Sequence, residues 1–326
     1  MKRVSQPQPA TEAALPMLRH KLLAWYDSNK RDLPWRCDRD PYRIWLSEIM
    51  LQQTRVAAVL EHYRRFLGRF PTIHKLARAR EASVLAAWSG LGYYRRARMM
   101  HAAAKLLVKQ HAGKFPQSAE KLRALPGIGR YTAAAIASIA FGEPVAVVDG
   151  NVERVLSRLS GQSLSPDVAW RAAEQWLDRG RPGDFNQAVM ELGATVCLPR
   201  QPRCLACPIV ELCRARGELP APRREIRRRR EVHYALDCRN GSVFLVQRPR
   251  SVSLMPGMWE LPEIANHNGS PGFTLRHSIT VTDYLVRVAR TSAPAASRGK
   301  WIARPRLPGL ALTGLARKIL RAAEVI

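Results

Sequence analysis

Leu125-Pro126-Gly127-Ile128-Gly129-Arg130-Tyr131-Thr132, running on as Ala133-Ala134-Ala135-Ile136, lies between two helical patterns and sets how they join. Its two glycines let the backbone turn tightly and expose N–H groups at the start of the following helix. Such a start is an anion site, because the first N–H groups have no partner inside the helix and the dipole favours negative charge. A Gly-x-Gly pair also occurs in ordinary helix-to-helix turns, so both readings stand on these residues alone.

On either side of this stretch apolar residues recur at three- and four-residue spacings: Leu15, Leu18, Leu22 and Trp25; Ile44, Leu51 and Val59; Ala133, Ile136, Ala137 and Ala140. Turn signals interrupt them at Leu67-Gly68, Gly90-Leu91-Gly92, Ala112-Gly113, Pro126-Gly127 and Gly142-Glu143-Pro144. Residues 12–213 are therefore predicted to form an all-helical domain with short connections, after a disordered tail over 1–11.

Residues 214–230 carry eight arginines, two prolines and little that can pack, which reads as an exposed basic linker. Its charge can lie along a phosphate backbone or be simply solvated. From 231 the period changes. Val232, Tyr234 and Leu236 alternate, Val243–Val246 follows the hairpin signal Asn240-Gly241, and Tyr284–Val288 is a further strand pattern. With a helical tail over Leu312–Ala323, residues 231–326 read as a small α+β domain, and the fold class is mainly α with that α+β appendage.

The chain has 326 residues and a net charge of +27. A surface that positive suits a polyanion such as DNA or RNA, although arginine-rich coding bias accounts for part of it. No apolar run reaches the roughly 18 residues of a membrane span, and the N-terminus has no apolar signal region, so a cytoplasmic protein without membrane partners is expected.

Four of the six cysteines are spaced Cys197-x6-Cys204-x2-Cys207-x5-Cys213; Cys37 and Cys238 stand alone and read as structural. Without a secretory signal this set points to metal ligation rather than disulfides. Four thiolates with one Cys-x2-Cys core can hold tetrahedral zinc or an iron–sulfur cluster, and a zinc ribbon more often has two such knuckles. The six-residue loop LPRQPR carries Arg200 and Arg203, which a rigid loop would hold for phosphate contact.

Two carboxylates stand out. Asp149, in Val147-Val148-Asp149-Gly150-Asn151-Val152, precedes the helical pattern Val152, Val155, Leu156 and Leu159, where an N-cap is expected. Glu48 is flanked by Trp45, Leu46, Ile49 and Met50. It is either a surface glutamate on an amphipathic helix or a carboxyl in an apolar pocket, where desolvation would raise its pKa and make it an acid near neutral pH.

The cysteine set resembles the four-iron four-sulfur loop of the endonuclease III family of helical DNA glycosylases, and LPGIGRYTAAAI resembles the helix–hairpin–helix of the same family. Asp32-Leu33-Pro34-Trp35-Arg36 and Pro41–Thr54 look like its adenine-specific, MutY-type branch. The resemblance implies a [4Fe–4S] cluster on Cys197, Cys204, Cys207 and Cys213. It implies Glu48 and Asp149 as catalytic carboxylates, with Tyr131 and Asn151 as their partners. It places Arg31, Trp35, Leu51, Gln53 and Glu191 around a flipped-out adenine. Gln52, Thr54, Tyr93, Gly127, Gly129, Arg130, Arg200 and Arg203 would contact DNA, with Tyr93 wedging at the lesion. Lyases of the family carry a lysine where this chain has Tyr131; a tyrosine cannot form the Schiff base, so a glycosylase without strong strand cleavage is expected.

Residues 243–263 and 311–320 resemble the Nudix-like domain of MutY-type enzymes, without the glutamate-rich Nudix box, so no pyrophosphatase activity is expected. In the family this domain recognises the oxidised guanine opposite adenine. The family loop reads Phe-Ser-His after an Arg-His pair; here it is Arg276-His277-Ser278-Ile279-Thr280-Val281. Thr280 keeps the hydroxyl, Val281 replaces the histidine, and His277 and Ser278 are further candidates for opposite-base recognition. The expected substrate is a monomer's double-stranded DNA partner with A:8-oxoguanine or A:G mispairs. The alternatives are an endonuclease III-like lyase acting on oxidised pyrimidines and a non-catalytic DNA-binding module.

Overall fold

The computed structural model describes residues 12–220, 228–252, 254–265, 272–279 and 282–326, so the tail read over 1–11, most of the centre of the linker, and Thr280 and Val281 lie outside the described residues. The helices are α1 (Leu15–Asn29), α2 (Pro41–Leu51), α3 (Val56–Arg69), α4 (Ile73–Arg78), α5 (Glu81–Ala87), α6 (Arg95–His111), α7 (Ala119–Leu122), α8 (Arg130–Phe141), α9 (Gly150–Ser160), α10 (Pro166–Trp176), α11 (Pro182–Thr195) and α12 (Gly314–Ala322). The strands are β1 (Arg228–Ala235), β2 (Cys238–Arg239), β3 (Ser242–Gln247), β4 (Trp259–Glu260), β5 (Glu263–Ile264), β6 (Phe273–Ile279), β7 (Thr282–Ala289) and β8 (Gly299–Ala303).

Local chemistry explains where the site-bearing helices begin. At α2, Asp40 Oδ1 accepts from the N–H of Tyr42 at 2.8 Å and of Arg43 at 3.4 Å. Pro41 fills the first helical position, where no N–H is needed. Asp149 caps α9, and Gly142 and Gly161 end α8 and α9 in the left-handed conformation. The turn signal at Leu67-Gly68 does not break the chain: α3 runs through it to Arg69, where Phe66 and Phe70 pack ring to ring at 5.0 Å.

The chain forms two compact units, each built from two stretches: Met1–Gln53 with Lys109–Pro222, and Thr54–Val108 with Arg223–Ile326. In the first, Leu18, Leu22 and Tyr26 of α1 pack with Val152, Val155 and Leu156 of α9, Trp176 of α10 and Leu192 of α11. Each fully buried aliphatic side chain there contributes about 2 kcal/mol. Cys197, Cys207 and Cys213 lie against the same core. A small neighbouring cluster of Ala134, Ala135 and Val147 has Tyr131 and Met190 at its margin.

The second unit holds α3–α6 and two four-stranded sheets, one ordered β5-β1-β7-β6 and one in which β3 is flanked by β2, β4 and β8. The predicted strands over 232–236, 243–246 and 284–288 fall in β1, β3 and β7. Asn240 and Gly241 take φ of 46° and 69° between Arg239 and Ser242, which pair across the hairpin. β1 starts at Arg228, three residues inside the stretch read as linker. Arg228, Arg229 and Arg230 pair in parallel with Thr282, Asp283 and Tyr284, because the ladder uses main-chain groups and is indifferent to an arginine side chain.

Candidate active site

Glu48 faces inward. It is 6% exposed on α2, between the fully buried Trp45 and Met50. The Tyr131 hydroxyl, one residue into α8, donates to Glu48 Oε2 and also lies 3.6 Å from Met190 Sδ. Burial lifts the Glu48 carboxyl to about 7, the Tyr131 hydrogen bond opposes the rise, the negative charge of Asp149 adds to it, and Arg36 opposes it. Burial and the neighbouring Glu48 and Asp149 carboxylates push the Tyr131 phenol well above its ordinary value, so it remains a donor.

Asp149 serves as cap and as a held carboxylate together. Oδ1 accepts from the backbone N–H of Asn151 at 2.9 Å and of Val152 at 2.7 Å, and Oδ2 accepts from Asn151 Nδ2 at 2.9 Å. Asn151 is itself fixed, because its Oδ1 accepts from Arg154 Nη2 at 2.9 Å. The same guanidinium reaches the Gly193 carbonyl at 2.7 Å and, through Nε, the Cys197 carbonyl at 2.8 Å. Gly193 is a close approach: a Cβ there would stand 2.7 Å from Asn151 Cβ. One turn on, Arg158 Nη1 donates to Cys197 Sγ at 3.3 Å and to the Leu198 carbonyl at 2.6 Å. Helix α9 thus carries Asp149 at its start and ties to the cysteine loop along one face.

Near Glu48 lies an ion cluster built on a buried carboxylate. Glu191, 1% exposed, takes Arg31 Nε at 2.5 Å on Oε1, and Arg31 Nη2 and Arg36 Nη2, each at 2.9 Å, on Oε2. Burial pushes its carboxyl up, but the two arginines outweigh that and hold it below the usual glutamate value. Of the residues read as an adenine pocket, Arg31 and Glu191 are in direct contact. Trp35 is buried, Leu51 half-buried, and Gln53 exposed with φ of 56°. Gln52 Nε2 donates to Thr132 Oγ1 at 3.3 Å, joining the end of α2 to α8.

At the hairpin, Gly127 has φ of 75°, a conformation open to glycine at little cost. Gly129 is the cap residue of α8 and offers no side chain, leaving the first N–H groups of α8 to an outside acceptor. Arg130 is exposed, with its guanidinium carbon 3.8 Å from the centre of the Trp170 ring.

In the cysteine loop, burial and the neighbouring Cys197, Cys213 and Cys204 push the Cys207 thiol up to about 11, while a backbone hydrogen bond from Ile209 opposes this. Cys197, Cys204 and Cys213 therefore lie within electrostatic reach of Cys207, and Arg158 and the Arg216 N–H, at 3.3 and 3.4 Å, donate to Cys197 and Cys213. That donor set suits four thiolate ligands of a soft metal centre. Among the described residues no group of three or more His, Cys, Asp or Glu side chains is spaced for a single metal ion. Arg200 and Arg203 are exposed.

Within the second unit, Thr54 is half-buried and Tyr93 is 47% exposed with φ of 46°. His277 is half-buried against α12, where burial and Lys318 hold its pKa below the ordinary histidine value. Ser278 is exposed, its hydroxyl 2.6 Å from Asp283 Oδ1.

The family model of the HhH-GPD superfamily base excision DNA repair protein matches residues 46–178, a span that holds Glu48, the hairpin and Asp149. This chain belongs to that superfamily. It is 41% identical over 310 residues to the mouse protein named adenine DNA glycosylase, covering 76% of this chain and 60% of the mouse protein. With the human protein of the same name it shares 49% identity over 219 residues, covering 63% of this chain and 40% of that one. The chain thus spans about 60% or less of the length of these relatives. It also resembles the solved structure of a thermostable thymine-DNA glycosylase, with a TM-score of 0.59 and 30% identity over 64% of this chain and 98% of that one.

In this chain the sequence reading missed Arg36, Arg154 and Trp170. Arg36 follows Trp35 directly but meets Glu191 155 residues away. Arg154 sits two residues past the motif that ends at Val152, and only its partners reveal its place.

Proposed function

We propose that this protein hydrolyses the N-glycosidic bond of adenine in double-stranded DNA, opposite 8-oxoguanine or guanine, and leaves an abasic site. The observation that carries this is the buried Glu48 carboxyl, lifted to about 7 and in hydrogen-bond contact with Tyr131, near the fixed carboxylate of Asp149. The names of the mouse and human relatives support adenine as the base.

In this reading the adenine leaves the stack and enters beside Arg31, Trp35, Leu51, Gln53 and Glu191. Glu48 gives its proton to a ring nitrogen. The C1′–N9 bond breaks with its electron pair going to the base, which leaves as a neutral molecule. Asp149, held by Asn151 and by two backbone N–H groups, stabilises the positive charge on the sugar. Water adds at C1′ and returns its proton to Glu48. Tyr131, with its hydroxyl committed to Glu48, orients the acid and supplies no amine for a lyase step.

Four cysteines, Cys197, Cys204, Cys207 and Cys213, would hold a [4Fe–4S] cluster. Ligation there would cross-link the loop, and Arg200 and Arg203 would be held for phosphate contact. The hairpin glycines, Arg130, Gln52 and Thr54 add backbone contacts, and Tyr93 stacks at the lesion. We read residues 12–213 as the glycosylase domain, the stretch from 214 up to β1 as a basic linker, and the part from β1 to 326 as a Nudix-like domain that recognises the opposite base through His277, Ser278 and Thr280. The protein acts as a DNA-associated monomer in the cytoplasm.

The test is adenine release from duplexes placing it opposite 8-oxoguanine, guanine or cytosine. We expect release opposite the first two, with the preference for 8-oxoguanine moderated by Val281. No release from any duplex overturns the reaction; strong borohydride trapping would favour the lyase.

A further inference from the structure

Tyr93 is an exposed aromatic residue in a turn that does not favour it. Its φ is 46°, after Gly90 at 105° and Gly92 at 69°. Left-handed backbone is disfavoured for a bulky side chain and persists where the surroundings over-determine it. Here one side chain contacts both the backbone and the ring of the turn. Arg96 Nη2 donates to the Leu91 carbonyl at 3.2 Å and to the Gly92 carbonyl at 3.3 Å, the two that immediately precede Tyr93. The Arg96 guanidinium carbon lies 5.4 Å from the centre of the Tyr93 ring and 5.5 Å from that of Trp88. Trp88, fully buried, adds an Nε1–H bond to the Gly92 carbonyl at 3.1 Å. The Arg96 backbone N–H returns to the Tyr93 carbonyl at 2.9 Å.

We infer that Arg96 is a positioning residue that fixes the Gly90–Tyr93 turn and presents the Tyr93 ring, already oriented, to the DNA stack. The inference rests on the reading of Tyr93 as a stacking residue given above. Arg96 holds the ring from the protein side through the guanidinium face, while its edge ties down the two carbonyls. Tyr93 therefore keeps its exposed surface for a base and loses little freedom on binding. Desolvation brings the guanidinium down to about 10, with Tyr93 opposing, so it stays a cation at neutral pH. A lysine keeps the charge and can donate to both carbonyls, but its ammonium offers no planar face to lie against the ring.

A double-mutant cycle separates this from a purely structural role. The probe is a duplex with a non-hydrolysable 2′-fluoro-adenosine opposite 8-oxoguanine, compared with a fully matched duplex. Tyr93→Ala should weaken binding to the mispaired duplex by roughly 5- to 150-fold, the range expected for one stacked base. Arg96→Met should weaken it about tenfold, taking part of that stacking range, and should add nothing once Tyr93 is alanine. Arg96→Lys should recover only part of the loss. Affinity for the matched duplex should not move in any variant. An Arg96 effect of equal size in the Tyr93→Ala background, or an equal loss on the matched duplex, overturns the inference. Tyr93→Ala with undiminished affinity overturns the stacking reading itself. If Arg96→Met fails to fold, the Arg96→Lys cycle carries the same comparison.

Discussion

The Tyr131 hydroxyl donates to Glu48 Oε2, joining the hairpin helix to the carboxyl of α2. Burial favours the neutral acid and this bond favours the anion; the balance stands at about 7. The acid form should therefore limit the reaction on the alkaline side, with the single-turnover rate falling about tenfold per pH unit above pH 7. Tyr131→Phe removes the opposing bond, so the alkaline limb should move to higher pH. A profile flat from pH 6 to 9 would remove Glu48 as the acid.

Glu48→Gln should lower single-turnover adenine release by at least about 100-fold while leaving duplex affinity within a few-fold of the parent. It should also change stability with pH in a defined sense. A carboxyl whose folded pKa is raised stabilises the fold below its unfolded value near 4.3, and that contribution is lost as pH rises through about 7. The glutamine variant should match the parent in melting temperature near pH 4 and exceed it above pH 7, by at most on the order of 3 kcal/mol. Equal melting temperatures at pH 8 would count against a buried ionising Glu48.

Arg154 holds Asn151 on one side and the Cys197 carbonyl on the other. Arg154→Met should release Asn151 and loosen the Asp149 carboxylate, lowering the rate of base removal by ten- to a hundredfold, the scale of a lost charge-assisted contact of about 1.5–3 kcal/mol. Measuring rate and iron content on the same preparation shows whether the loss follows the carboxylate or the loop.

Trp170 backs the Arg130 guanidinium at 3.8 Å, leaving its edge open at the hairpin. Arg130→Ala should weaken duplex binding and reduce the salt slope by about one. Trp170→Ala should weaken binding about two- to fivefold, on the scale of an exposed cation–π contact of about 0.5–1 kcal/mol, with no further loss when Arg130 is already alanine. Fluorescence titrations at several salt concentrations measure both.

Local chemistry was readable where one short stretch contains both partners. Asp149-Gly150-Asn151 announces α9, and Asn240-Gly241 announces the turn between β2 and β3. The four cysteines are legible for the same reason. Glu48 was not legible as buried from its neighbours alone, because a helix with apolar residues on several sides does not say what covers each one. Arg36 with Glu191 and Arg154 with Cys197 were invisible, since no periodicity relates residues 155 or 43 positions apart. Helical spacing likewise picked out Val59 of α3 but not the unit that α3–α6 join. Arginine composition argued for a linker through 230, whereas main-chain pairing claims Arg228–Arg230 for β1.

The interleaving of the two units has a consequence for synthesis. The hydroxyl of Tyr94 bonds to the Leu312 carbonyl at 2.8 Å, and Arg317 Nη2 reaches Ser89 Oγ at 2.6 Å, partners 218 and 228 residues apart. At ribosomal speeds of about 5–20 residues per second, Ser89 and Tyr94, in the turn between α5 and α6, wait roughly 10–45 seconds for these partners. Over that interval the two hydroxyls have each other, at 3.3 Å, but not these later partners. Slowed elongation, or a stall before Leu312, would expose this stretch to chaperones and proteases even though every residue of Glu48, Tyr131 and Asp149 is already made.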